Sequence, residues 1–222
     1  MTFKYIHNQN NSEKLFIYFN NMTQIGFSDR FTYYKTLMNT FNDYDLLFIK
    51  DIEIGYYYLT IIDDIDNLIT KLVKEYNYKK IVSYGDSAGA MPILNILPKY
   101  DIFKKAIIIN GQVSLKKEVI DIYRKLPITV KTYVFNEKKI KKIYNKIYKE
   151  PLNNLQDTNN YEITCYYNSV GSDAVYCELI KNLNYSNMKI INDKLNMNHI
   201  MYIIYKTSSA EFFTDMKQYF DN

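Results

Sequence analysis

Short apolar runs alternate along the chain with longer segments whose apolar residues recur at helical spacing. Continuous apolar runs occupy residues 15–19 (LFIYF) and 46–49, and mostly apolar runs occupy residues 81–84 (IVSY) and 103–109 (FKKAIII). A run of this kind predicts a strand that is covered on both faces of its sheet. Between the second and third runs, the apolar residues of 61–76 fall on one face of a helix. This order predicts a mostly parallel sheet with helices on both faces.

Weaker patterns extend the same alternation to the rest of the chain. Residues 3–7 predict an opening edge strand and residues 31–41 a helix. Residues 162–167 predict a strand followed by a helix at 174–183, and residues 188–191 predict a last strand before the final helices. The carboxyl ends of parallel strands form one rim, where ligands of such sheets bind.

The segment 80–97 (KIVSYGDSAGAMPILNIL) joins one of these strands to a helix through a sharp turn. Gly85, Ser87 and Gly89 match the pattern GxSxG, in which a strained turn presents a serine hydroxyl above the sheet. A Cβ atom at either glycine would collide with the neighbouring strand or helix. Pro92 falls in the first helical turn, where its missing N–H costs nothing. We interpret Ser87 as a nucleophile, and the alternative is an ordinary connection with a capping serine.

The GDSAG sequence resembles the nucleophile elbow of the α/β-hydrolase superfamily, in the form found in lipases and esterases related to hormone-sensitive lipase. The HGGG motif of that branch does not occur in this chain. The resemblance implies an α/β-hydrolase fold with a short or absent lid. It also implies a catalytic triad in the chain order serine, acid, histidine.

The histidine and the acid of such a triad can be sought by chain order. The chain has two histidines, and only His199 follows Ser87, in a polar loop after the strand at 188–191. His7 precedes the nucleophile and is out of order. Asp173 stands in the loop after the strand at 162–167 and is our choice of acid, although it could instead cap the next helix. Asp193 is the rival acid.

Three further positions are expected at the rim. In the α/β-hydrolase layout the residue after the nucleophile, here Ala88, supplies one N–H of the oxyanion hole. The loop after the strand at 15–19 supplies the other, from Asn21 or Met22, unless that loop is a plain turn. Gln112 follows the strand at 103–109 and is expected to contact substrate.

Composition narrows the class of protein. With 222 residues and 47% hydrophobic content, the chain is expected to form a single domain, residues 1–222. Neither a membrane span nor a secretory signal is apparent, so a cytoplasmic location is expected. Cys165 and Cys177 lack metal-ligand spacing and are expected to be reduced core residues, and no metal site is predicted. Nucleic-acid motifs are absent as well, despite the net charge of +4.

The middle of the chain leaves two structural alternatives. Residues 114–160 are polar and helical in pattern, and they form either a short lid or plain surface helices. A lysine-rich stretch within them, residues 138–149, is either a solvated face or a patch that binds anions.

The turn at 110–115 (NGQVSL) resembles proteins of bacterial surface-polysaccharide loci, including capsule polysaccharide O-acetyltransferases, and a protein of the accessory secretion system. The resemblance implies acyl transfer to a glycan acceptor, with acetyl-coenzyme A as a donor substrate and no bound cofactor. The chain is therefore expected to be a serine acyltransferase or esterase. The alternatives are a small-ester carboxylesterase and an inactive hydrolase-fold scaffold in a glycosylation or secretion complex.

Overall fold

A computed structural model of the chain describes residues 2–7, 12–21, 31–51, 58–119, 121, 150–168, 174–193 and 209–222. The strands are β1 (Thr2–Ile6), β2 (Lys14–Phe19), β3 (Asp45–Lys50), β4 (Lys80–Asp86), β5 (Phe103–Ile109), β6 (Glu162–Asn168) and β7 (Met188–Asp193). The α-helices are α1 (Tyr34–Thr40), α2 (Ile62–Tyr76), α3 (Ala90–Ile96), α4 (Ala174–Lys181) and α5 (Ser209–Asp221). Short 3₁₀ turns occupy Ser87–Gly89, Leu97–Lys99 and Pro151–Asn154.

The seven strands form one sheet in the order β1-β3-β2-β4-β5-β6-β7. Strand β1 pairs antiparallel with β3 at one edge, and all the other pairs are parallel. The strand order reverses around β2, which lies between β3 and β4. Open sheets of this type bind ligands at the carboxyl ends of the strands beside such a reversal. The predicted mostly parallel sheet is confirmed.

Helices cover both faces of the sheet, as the continuous apolar strands require. On one face α2, α3 and α4 pack on alternate strand residues such as Ile17, Ile49 and Ile108. On the other face α1 and α5 pack on the intervening residues, including Phe48 and Val82. Burying one such side chain contributes about 1.5–3 kcal/mol, so each face needs its helices.

The face under α1 and α5 is rich in aromatic side chains. The rings of Tyr18 and Tyr84 stack with their centroids 5.3 Å apart, and Phe213 of α5 meets Tyr84 edge-on at 5.6 Å. Phe16 and Phe41 stack at 4.3 Å on the same face. Aromatic pairs add about 0.5–1.5 kcal/mol to their burial, so these contacts attach α5 firmly to the central strands.

Several boundaries differ from the predicted ones. Helix α1 begins at Tyr34, where the backbone leaves the left-handed conformation of Tyr33 (φ 60°), so the helix is shorter than 31–41. Strand β7 continues to Asp193 because it pairs in register with β6 as far as Asn168. Most of the middle region, residues 120 and 122–149, lies outside the described residues, including the lysine-rich stretch.

The two cysteines lie where the pattern placed them. Cys165 in β6 and Cys177 in α4 are both buried, and neither forms a disulfide. Burial is the main reason that both thiols have a raised pKa. They are therefore core residues, as predicted. Separately, none of the helices described is both long and apolar enough to cross a membrane.

A cluster of ion pairs ties α5 to the amino ends of β2 and β3. Asp221 accepts hydrogen bonds from Lys217 at 2.6 Å and from Tyr44 at 2.7 Å, while Lys14 lies 3.4 Å away. Burial by itself would raise the pKa of Asp221, but the hydrogen bonds from Lys217 and Tyr44 and the two lysine charges outweigh it and lower the pKa to about 2. The folded state therefore favours the ionised carboxylate.

This depressed pKa predicts a pH-dependent contribution to stability. Above the ordinary aspartate pKa of about 3.9 the contribution is fully present, and it is lost as the pH falls toward 2, since the unfolded state then binds the extra proton. We expect Asp221→Asn to lower the free energy of unfolding by about 1 kcal/mol at pH 7, an amount discounted for partial exposure. The difference from wild type should shrink between pH 4 and pH 3.

Urea unfolding at pH 7, 4 and 3 measures this effect. Asp101→Asn is the matched control, because Asp101 is an exposed aspartate in a turn. An Asp221→Asn deficit that stays constant across the three pH values would contradict the assignment.

Candidate active site

Ser87 stands at the sharp turn between β4 and α3. Its backbone has φ 53°, in the left-handed region that non-glycine residues rarely adopt. The residues Ser87–Gly89 form a 3₁₀ turn before α3 begins at Ala90. The carbonyl oxygen of Ser87 accepts hydrogen bonds from the N–H groups of Gln112, at 3.0 Å, and of Ala90. The turn has the strained geometry predicted for a nucleophile elbow.

The two glycines of the turn are required by space. A Cβ atom on Gly85 would lie closer than 3.0 Å to the carbonyl of Gly89 and to the side chain of Ile93 in α3. A Cβ atom on Gly89 would lie closer than 3.0 Å to the carbonyl oxygen of Phe19, the last residue of β2. Gly89 has helical angles, φ −64° and ψ −13°, which any residue can adopt. The predicted collisions are thus confirmed, and at Gly89 the cause is purely steric.

The close approach of Gly89 brings the end of β2 beside the elbow. Asn21, which follows β2, donates from its side-chain amide to Oδ2 of Asp86 at 3.0 Å. Asp86 is the residue directly before Ser87 and is 8% exposed. Asn21, one of the two predicted oxyanion-hole residues of this loop, is therefore attached by a charge-assisted hydrogen bond to the residue preceding Ser87.

Asn20 holds the beginning and the end of that loop. Its backbone N–H donates to Ile49 at 2.9 Å, and its side-chain oxygen accepts from the N–H of Thr32 at 2.9 Å. Its own carbonyl accepts from the hydroxyl of Tyr58. These bonds, all made by a fully buried asparagine, orient the chain as it leaves β2.

Tyrosine side chains surround Asp86 on the same rim. The hydroxyl of Tyr18 donates to Oδ1 of Asp86 at 3.4 Å. Burial first, and then the negative charge of Asp86, raise the pKa of Tyr33 to about 12. The same two causes hold the pKa values of Tyr18 and Tyr84 well above the usual range. These hydroxyls therefore stay protonated, and no phenolate charge adds to that of the carboxylate.

The end of β5 supports the elbow from the other side. Asn110 has φ 45°, and the carbonyl of Gly111 accepts from the hydroxyl of Tyr167 at 2.7 Å. A Cβ atom on Gly111 would lie closer than 3.0 Å to Ala90 of α3. Gln112 then reaches Ser87 through its backbone N–H. Its side chain is 1% exposed, and its oxygen Oε1 has no hydrogen-bond partner among the described residues.

The structure thus brings together Asn21, Ser87, Ala88 and Gln112 of the predicted site. His199, Asp173 and Met22 lie outside the described residues, and the roles given to the triad and to the oxyanion hole stay predictions. The carboxyl ends of β6 and β7, from which Asp173 and His199 follow, point toward the same rim as Ser87. His7 lies at the opposite edge of the sheet, where its Nδ1 is 2.8 Å from Asp45.

Asp86, Asn20, Tyr18 and Tyr58 contribute to the site but were not predicted from sequence. The sequence contained one signal for them. Asp86 is a polar residue inside GxSxG, and two asparagines, Asn20 and Asn21, follow a neighbouring strand. No group of three or more histidine, cysteine or acidic residues able to hold a metal ion occurs in the described part of the chain. The site as far as it is described is organised around a hydroxyl, a carboxylate and backbone groups.

Comparison with solved structures identifies the fold. An alpha/beta hydrolase enzyme from a Medee basin deep-sea metagenome superposes with a TM-score of 0.63 at 13% identity, covering 100% of this chain and 94% of its own. A carboxylesterase of Nitrososphaera gargenis gives 0.61 at 15% identity, covering 99% and 95%. A lipase-esterase related protein of Clostridium acetobutylicum gives 0.56 at 15% identity, covering 98% and 99%.

These similarities show that the chain has the α/β-hydrolase fold. At such low identity they establish the fold and leave the activity open. No protein-family model matches the sequence. A comparison with curated proteins also finds no match.

The positive φ angle of Ser87 predicts that two substitutions, Ser87→Ala and Ser87→Gly, differ in their effect on stability. Ser87→Ala keeps a Cβ atom in the left-handed region, whereas Ser87→Gly removes it. We expect Ser87→Gly to be more stable than Ser87→Ala by about 1 kcal/mol, measured by urea unfolding. Ala90→Gly is the control: at φ −64° a glycine should destabilise by about 1 kcal/mol. Equal stabilities of the two Ser87 variants would contradict a strained elbow.

Proposed function

We propose that this protein is a serine hydrolase that cleaves carboxylic esters through an acyl-enzyme formed on Ser87. The observation that carries the proposal is the position of Ser87, in a left-handed turn between two glycines that cannot bear a side chain. Such a turn presents the hydroxyl at the carboxyl ends of the strands, beside the strand-order reversal. The esterases and lipase-related proteins among the structural neighbours support the same class of reaction.

The proposed first step is attack on the ester. His199 accepts the hydroxyl proton of Ser87 while Oγ forms a bond to the carbonyl carbon. The carbonyl oxygen becomes an oxyanion, which the N–H of Ala88 and that of Asn21 or Met22 stabilise by hydrogen bonds. When the tetrahedral intermediate collapses, the bond to the alcohol breaks, and the alcohol leaves with the proton from His199. Asp173 keeps the imidazole in the required tautomer.

The hydrogen bond between Asn21 and Asp86 gives this proposal a structural basis for preorganisation. An oxyanion donor contributes most when it needs no rearrangement during the reaction. Because Asp86 and Ser87 are adjacent, this hydrogen bond links Asn21 directly to the turn that carries Ser87. The geometry of the oxyanion hole is then set by the same turn that positions the hydroxyl.

The acyl-enzyme has two proposed fates. Water releases the acid, which makes the protein an esterase. Alternatively a hydroxyl of a surface polysaccharide accepts the acyl group, which is the reaction implied by the sequence resemblance. The donor is then the thioester acetyl-coenzyme A, and coenzyme A leaves as the thiol, with the proton from His199, when the acyl-enzyme forms. The esterase is our first choice, because the named activities among the neighbours are hydrolytic.

Labelling with a fluorophosphonate probe and hydrolysis of p-nitrophenyl acetate test the nucleophile. We expect wild type to be labelled, and Ser87→Ala to lose labelling and at least about 10⁴-fold in kcat, since the acyl-enzyme cannot form. The control is Ser83→Ala in β4, the strand that precedes Ser87; the hydroxyl of Ser83 donates to the carbonyl of Ile17 at 2.9 Å. That variant should lose stability but keep labelling.

Absence of labelling in folded wild-type protein would indicate a scaffold without catalysis. For the active enzyme, adding a polysaccharide acceptor separates the two fates. Acceptor acylation at the expense of hydrolysis would favour the transferase, and unchanged hydrolysis would favour the esterase.

The identity of the triad acid is a separate prediction. Asp173→Asn should lower kcat by about 10³- to 10⁴-fold, because the imidazole of His199 loses its orienting partner. Asp193→Asn, at the end of β7, is the matched variant and should have little effect. If Asp193→Asn shows the large loss and Asp173→Asn does not, Asp193 is the acid.

A further inference from the structure

A cavity opens at the amino ends of the strands, at the end of the sheet opposite Ser87. Its volume is about 510 Å³. Its walls come from the starts of β4, β5 and β6 and from the turns before β6 and β7. Lys80 and Ser87 stand seven positions apart at opposite ends of β4, which corresponds to roughly 20 Å at the rise of a strand. The cavity is therefore separate from the candidate active site.

Four lysines line this cavity against a single acidic side chain. The lysines are Lys79, Lys80, Lys104 and Lys105, and the acidic residue is Glu162. None of the four lysines forms an ion pair in the part of the chain that the structure describes. The cavity wall thus carries an excess of positive charge, which favours an anionic ligand.

Each lysine of the cavity wall still has N–H groups that can donate to such a ligand. Lys80 donates to the carbonyl of Phe220 and Lys105 to that of Tyr219 at 3.0 Å, so both ammonium groups are held at the end of α5. Lys79 and Lys104 are exposed. Lys79 donates to the side-chain oxygen of Asn77 and Lys104 to the backbone carbonyl of Asp101, both at 2.8 Å, and both of these acceptors are neutral. An ammonium has three N–H donors, so each lysine can bind an anion without giving up its present bond.

The surroundings of Lys80 disfavour its charge. Burial lowers the pKa of Lys80, and the charges of Lys14, Lys105 and Lys217 lower it further, although Asp221 opposes them. An anion in the cavity would relieve this repulsion.

A buried acceptor in the same wall indicates that the ligand carries more than a charge. Asn187 is 6% exposed, and its amide donates to the carbonyl of Gln156 at 3.0 Å. Its oxygen Oδ1 is buried and has no hydrogen-bond partner among the described residues, so a ligand reaches it once the side chain turns toward the cavity. A buried acceptor without a donor costs about 1–3 kcal/mol. A hydroxyl group on the ligand would supply the missing donor.

We propose that this cavity binds a phosphate monoester that also bears hydroxyl groups, such as a sugar phosphate. The phosphate lies between the lysines at the starts of β4 and β5. A hydroxyl donates to Oδ1 of Asn187. The site does not depend on the chemistry of Ser87.

Calorimetric titration with glucose 6-phosphate, inorganic phosphate and glucose at low salt tests the proposal. We expect glucose 6-phosphate to bind most tightly, inorganic phosphate more weakly, and glucose not at all. The double variant Lys79→Gln/Lys104→Gln should weaken binding of both phosphates at least about tenfold. Its control is Lys71→Gln/Lys74→Gln, which removes two exposed lysines from α2 and should bind like wild type.

The variant Asn187→Leu removes the proposed contact to the ligand hydroxyl and leaves the lysines that bind the phosphate unchanged. It should bind inorganic phosphate like wild type but lose the preference for glucose 6-phosphate, provided that its thermal melting shows a folded protein. Ser87→Ala should bind all probes like wild type. No binding of either phosphate would overturn the proposal. Equal losses in the two double variants would also overturn it, because they would reveal an effect of net charge alone.

Discussion

The structure depends on one close approach, that of Gly89 to the carbonyl of Phe19 at the end of β2. Any side chain at position 89 would push the elbow away from this strand. With hydrogen there, the turn that carries Ser87 lies directly against the end of β2. The hydrogen bond between Asn21 and Asp86 then becomes geometrically possible. The absence of a side chain at Gly89 is thus a steric condition for the hydrogen bond that joins Asn21 to Asp86.

Strain at Ser87 is tolerated because rigid elements surround it. The elbow lies between β2 and β5 in the middle of a seven-stranded sheet, and its carbonyl is bonded to Gln112. A residue held at φ 53° costs about 1–3 kcal/mol, and such a cost persists only where neighbouring structure overdetermines the backbone. Here the buried turn of Asn110 and Gly111 and the helix α3 provide that restraint.

Much of the layout could be predicted from sequence because its signals are local. Strand β5 matches the strand predicted at 103–109, and the collisions at Gly85 and Gly89 follow from the motif itself. Asp86 was missed because its partners, Tyr18 and Asn21, come from another strand and a loop, 65 or more positions earlier. Pairing between distant segments depends on strand order, which periodicity does not encode.

The packing of α1 against α5 has a consequence for biosynthesis. Both helices cover the same aromatic face of the sheet, yet about 170 positions separate them in the chain. While a ribosome is still making the intervening residues, Phe16, Tyr84 and their neighbours have no α5 to cover them. A nascent chain therefore presents an apolar sheet face until residue 221 has emerged, and folding of the central strands is completed late in synthesis.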